Sequence, residues 1–172
     1  MSSRPVVVGV LLAVLAVAAS AQFTPSGELE VHYINVGQGG CTLIIGPDGT
    51  TILYDFGKVD GSRDLVPYLQ EIGLTTEDGI DYAILSHRDT DHFVGFKGLV
   101  EADYTTRVAN YDSGSPKKGT SITNNWLDPA KSTPAGPVQK IPVGLKIAMG
   151  NGAEVLVVAA NGSLTLFYDS DR

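Results

Sequence analysis

Residues 86–93 read Ser86-His87-Arg88-Asp89-Thr90-Asp91-His92-Phe93, directly after the apolar run Tyr82-Ala83-Ile84-Leu85. Two of the chain's three histidines fall in this window, interleaved with two acids. The apolar run predicts a buried strand over Asp81–Ser86, and Phe93, Phe96, Leu99 and Val100 share one side of a predicted short helix. The window is therefore a strand-to-helix corner. His87 closes the strand, Asp89 lies on the turn, and Asp91 and His92 open the helix. Imidazole nitrogens and carboxylate oxygens gathered in this way suit a divalent cation such as Zn²⁺, Mn²⁺ or Fe²⁺. Singly, each residue has a plainer explanation, because an Asp before a helix is usually an N-cap. Four such donors in six residues point to a metal.

Outward from this corner, the totals suit one globular domain: 172 residues, 43% hydrophobic and 18% charged. Residues 1–21 carry Arg4, an apolar run from Val6 to Ala19 and the small-residue site Ala19-Ser20-Ala21, the pattern of a secretory signal. A retained N-terminal anchor is the alternative. The expectation is a secreted or periplasmic protein, free of the membrane after cleavage, with a linker over 22–28 and a domain over 29–172. The single cysteine, Cys41, rules out an internal disulfide and reads as a small buried residue on a strand. A net charge of −7 gives no general attraction to nucleic acid. A polyanionic substrate would need bound metal or a local patch such as Lys117-Lys118, whose plainer reading is a solvated loop. No specific protein partner is implied.

Strand patterns cover Leu29–Val36, Cys41–Ile45 and Thr51–Tyr54, separated by Gly37-Gln38-Gly39-Gly40 and by the turn Pro47-Asp48-Gly49. They predict an antiparallel meander. Asp64–Ile72 predicts a helix ended by Gly73, with Pro67 tolerated in its first turn. From Asp103 to Lys140 the pattern weakens into turn-rich sequence, with a short helix around Asn124–Lys131. Gly144–Met149 and Glu154–Ala159 predict a hairpin joined by Gly150-Asn151-Gly152. The order of elements is that of a mixed α/β or α+β layered domain.

The string His87-x-Asp89-x-Asp91-His92 resembles the metal motif of the metallo-β-lactamase superfamily, and Asp at its third position resembles the ComEC-type competence branch. His32-Tyr33-Ile34-Asn35-Val36-Gly37-Gln38-Gly39 is similar to that branch's opening strand and glycine turn, and Asp55-Phe56-Gly57 to its strand-end motif. The resemblance is close over Leu29–Ala102 and loose over Lys140–Asn161. It implies an αββα sandwich and hydrolysis by a metal-activated water, with a nucleic-acid phosphodiester as substrate. Small esters, lactones or lactams are the alternative on the same fold, as is an inactive fragment or binding module. It implies that His87 binds a first ion with Asp89 beside it, that Asp91 and His92 bind a second, and that Asp91 takes part in catalysis. Asp55 would orient the ligands from behind. Two ions, Zn²⁺ or Mn²⁺, are expected for a complete domain. Gly40 stands where the branch usually has an acid, and the superfamily's later Asp and His ligands have no clear counterpart. Asp169 and Asp171 are weak candidates. The expectation is the front part of the fold without its rear, holding metal weakly.

Overall fold

The structure is a computed structural model, described here for residues 23–58 and 63–164. The signal-like segment, Asp169 and Asp171 lie outside the described residues. Among the described residues, ten strands and five α-helices follow the chain. A sheet of six strands runs in the order β1 (Glu30–Tyr33), β2 (Thr42–Ile45), β3 (Thr51–Tyr54), β4 (Ile80–Leu85), β5 (Thr106–Asp112), β6 (Gln139–Lys140). The first three pair antiparallel, as the meander predicts, and β3 through β6 pair parallel. Parallel pairing needs crossovers. α1 (Leu65–Glu71) makes the first, and α2 (Thr90–Phe93) with α3 (Gly95–Glu101) makes the second.

One face of the sheet is sealed by helices. Leu43, Ile45 and Leu53 project into a core with Leu65 and Leu69 of α1 and Phe96 and Leu99 of α3. Trp126 joins them from a helical stretch in which α4 (Thr120–Ile122) passes through a π-helical turn, Thr123–Leu127, into α5 (Asp128–Lys131). Phe56, Phe96 and Trp126 form a triangle with ring centroids 4.9, 5.0 and 4.5 Å apart. The opposite face carries Ile52 and Ile84, covered by Ile147 and Met149 of the predicted hairpin, β7 (Lys146–Ala148) and β8 (Glu154–Leu156). Beside this hairpin an open groove of about 390 Å³ runs over Ile44, Ile52, Ile84 and Ile141. β9 (Ala159–Ala160) and β10 (Ser163–Leu164) complete the described chain. Among the described residues there is one helical layer, one large sheet and the start of a facing β layer, and no helix is long and apolar enough to cross a membrane.

Two sequence expectations change. β5 lies inside the stretch read as weakly patterned, because its buried residues Thr106, Asn110 and Asp112 are polar. Only the Nδ2 end of the Asn110 side chain is paired, and by tertiary partners, donating to Thr133 Oγ1 at 3.0 Å and to the Gly136 carbonyl at 2.8 Å. His32 is half-buried between Tyr68 and Glu30, with ring nitrogens 2.7 and 3.0 Å from their oxygens. The predicted helix after His92 is also divided, because the Gly95 amide leaves the helical ladder for the Gly57 carbonyl at 3.2 Å.

Trp126 is fully buried. Trp126→Ala is expected to cost about 3–5 kcal/mol, read as a lowered urea midpoint, while Val108→Ala at an exposed position changes it little.

Candidate metal centre

The corner takes its shape from Asp55, the residue after β3. In the parallel register Tyr54 lies opposite Ile84, so the chain leaving β3 passes the chain leaving β4. The Asp55 amide donates to the Ile84 carbonyl at 2.9 Å, and the residue takes a left-handed φ of +59°. Such a conformation is strained for most residues but tolerated by Asp. The buried carboxylate then accepts three hydrogen bonds. The Ser86 amide donates to Oδ1 at 2.8 Å and the Ser86 hydroxyl to Oδ2 at 2.7 Å. His92 Nδ1 lies 2.7 Å from Oδ2 and donates to it.

This last bond fixes the His92 ring and leaves Nε2 pointing out of the clamp, 3.8 Å from Asp91 Oδ2. His87 is set in a similar way, its Nδ1 2.8 Å from the Ser86 hydroxyl and its Nε2 3.5 Å from Asp89 Oδ2. The two rings lie 4.0 Å apart between centroids. His87, Asp89, Asp91 and His92 thus lie at one corner, with Asp55 hydrogen-bonded to His92.

The glycine turn sits against this corner. Gly39 has φ +94°, and a Cβ there would fall 1.6 Å from the Asp91 carbonyl oxygen. At Gly40 a Cβ would lie 3.3 Å from Asp55 Oδ2 and 3.6 Å from His92 Nδ1. Gly40, where an acid is usual in the resembling branch, therefore lets the backbone close on the Asp55–His92 pair. Cys41 follows, buried as expected, and burial together with the Asp55 charge pushes its thiol up to about 12.

Asp89 occupies the N-cap position of α2, but its side chain makes no cap hydrogen bond. It turns to the Lys117 ammonium instead, and that contact holds its carboxyl below the usual range. Arg88 and Asp112 were given no role by the sequence. Arg88 Nε and Nη2 donate to Asp112 Oδ2 at 2.9 and 2.7 Å, and Nη1 donates to the Lys117 carbonyl at 2.7 Å. The only sequence sign of this link is an Arg inside the motif, since its partners lie 24 and 29 residues away.

The donor chemistry fits a divalent cation: each imidazole has Nδ1 engaged and Nε2 beside a carboxylate. Among the described residues, however, no three His, Cys, Asp or Glu side chains close around one point. Asp89 is shared, its Oδ1 on the Lys117 ammonium and its Oδ2 3.5 Å from His87 Nε2.

No protein-family model matches the chain, and no curated protein matches it. Solved structures do, metallo-β-lactamases among them. MEM-A1, a subclass B3 enzyme from a soil metagenome library, is 23% identical over 70% of this chain and 46% of its own, with a TM-score of 0.43. MIM-2 is 19% identical over 76% of this chain and 52% of its own, also at 0.43. The metallo-β-lactamase of Staphylococcus aureus subsp. aureus COL is 19% identical over 73% and 33%, at 0.42. The chain spans about half the length of MEM-A1 and MIM-2.

Two substitutions test the packing of the glycine turn. Gly37, at φ +76°, has open space around its would-be Cβ, so Gly37→Ala should cost only the left-handed backbone strain of about 1–2 kcal/mol. Gly39→Ala adds the collision with Asp91 and should lower the urea midpoint clearly further. Equal losses would mean that the turn does not bear on α2. Cys41 in the folded protein is likewise expected to resist a disulfide reagent at mildly alkaline pH, near the unperturbed thiol value of about 8.5, and to react once unfolded.

Proposed function

We propose that this chain carries the metal-binding corner of a metal-dependent hydrolase, of the ComEC-like variety of the metallo-β-lactamase superfamily, acting on phosphodiesters of nucleic acid outside the cytoplasm. The observation that carries the reading is the Asp55–His92 pair. A buried carboxylate on Nδ1 leaves the other ring nitrogen as a fixed, more basic donor, the arrangement that metal-binding histidines use. The external location rests on the leader-like pattern of residues 1–21, and the substrate class on the His-x-Asp-x-Asp-His string.

In this reading His87, Asp91 and His92 hold the cation, and Asp89 joins them when it parts from Lys117. Zn²⁺ or Mn²⁺ suits the donors, with two ions in a complete domain. A divalent cation bound there lowers the pKa of water to about 7 and offsets charge on the oxygens of the phosphate. The protein's part is positional. Asp55 and Ser86 hold the two imidazoles in one tautomer and one orientation. Asp91, in the first turn of α2, orients the attacking water and accepts its proton as the phosphorus–oxygen bond to the leaving group breaks.

Metal-depleted protein titrated with Mn²⁺ or Zn²⁺ should bind the ion weakly and hydrolyse bis-p-nitrophenyl phosphate. Asp55→Asn should lower metal affinity by about 10–100-fold, and His92→Ala should remove metal-dependent turnover. Cleavage of a chromogenic lactam or lactone in place of the phosphodiester would move the substrate to small molecules. Metal binding unchanged by His92→Ala would make the corner scaffold and sink the reading.

A further inference from the structure

The Lys117 segment is exposed over residues 116–119, as a solvated loop should be, but it is tethered. Leu85 lies opposite Asp112 in the parallel register, so β5 ends beside the strand that delivers the metal motif. Arg88 and Asp112 are both largely buried, with side chains 12% and 2% exposed. Asp112 turns its second oxygen to the Gly114 amide at 2.8 Å, and Arg88 holds the Lys117 carbonyl. The chain from Ser113 to Gly119 is thereby strapped to the corner at both its start and its middle. The strap aims the Lys117 ammonium at Asp89, beside the two imidazoles. Among the described residues the neighbouring Lys118 makes no ion pair.

On a chain with a net charge of −7, a cation held at this position needs a reason. Asp89 alone gives a weak one, because an exposed pair contributes little stability. The cost of burying Arg88 and Asp112 is spent on placing this loop, not on the Lys117–Asp89 pair itself.

Resting on the phosphodiester reading above, we propose that Ser113–Gly119 forms one wall of the substrate site, with Lys117 the residue that grips the phosphodiester anion and the Arg88–Asp112 pair its positioning strap. When Asp89 is drawn to a divalent cation, the ammonium loses its partner while the backbone stays tied. It is then a mobile positive charge of a few ångströms' reach at the edge of the reacting centre. A lysine of this kind acts as a point charge on a phosphate oxygen. It favours an anionic phosphodiester over a neutral ester of the same size, which makes it a specificity-determining group.

The test uses the full chain with Mn²⁺, a fluorescein-labelled single-stranded oligothymidylate followed by anisotropy, and three variants: Lys117→Gln, Lys117→Arg and Lys118→Gln. Lys117→Gln should weaken oligonucleotide binding by about tenfold and reduce the slope of log affinity against log salt by about 0.7, the share of one single-strand phosphate contact. Lys117→Arg should restore most of both, and Lys118→Gln should change neither by as much. The proposal is overturned if Lys117→Gln keeps wild-type affinity and salt slope while the wild type binds the oligonucleotide. It is also overturned if the variant only tightens Mn²⁺ binding, which would make Lys117 a plug on Asp89. A wild type that binds Mn²⁺ but no oligonucleotide at low salt would overturn the substrate class itself, and this inference with it.

Discussion

The Asp55 carboxylate is the junction on which the corner depends. It joins the end of β3, the end of β4 and the first turn of α2, segments that lie 31 and 37 residues apart from it along the chain. Each bond goes to a group that would otherwise be unpaired at a strand end or free to rotate. A buried carboxylate that accepts three hydrogen bonds is held rigidly. The positive φ at this position is what lets one short side chain reach both Ser86 and His92.

The same two segments anchor the corner in the core. Asp55 is followed by Phe56 and His92 by Phe93, and both aromatic rings are buried in the helical-face cluster. Backbone bonds repeat the pairing, since the Phe56 amide donates to the His92 carbonyl at 2.7 Å. Asp55 and His92 are thus each one residue from a ring that fixes their backbone. Close packing around Phe56, Phe96 and Trp126 makes displacement costly, so the imidazoles inherit their precision from an apolar layer that no ligand touches.

What could be read from the sequence follows from the range of the interactions. Strand β4, helix α1 and the corner residues were legible because apolar periodicity and the spacing of His87, Asp89, Asp91 and His92 are local signals. The β7–β8 hairpin was legible from its glycine turn. β5 was not, because Asn110 and Asp112 are polar in sequence and become strand residues only through partners far along the chain. Asp55 was placed behind the ligands by resemblance, and the bonds from Ser86 give that placement its physical content. Arg88 and Lys117 were invisible for the same reason as β5. An arginine within an acidic motif does not announce that its guanidinium reaches a carbonyl 29 residues on.

The two faces of the sheet are finished unequally. The helical face holds the large rings and nearly all of the fully buried leucines, whereas the other face has a short hairpin beside an open groove. Local opening is easiest where the fewest apolar groups are packed. The hairpin side should therefore loosen first, while the imidazoles, hung from the well-packed side, stay in register. Damage confined to the thin side should leave the His87 and His92 rings where the helical face holds them.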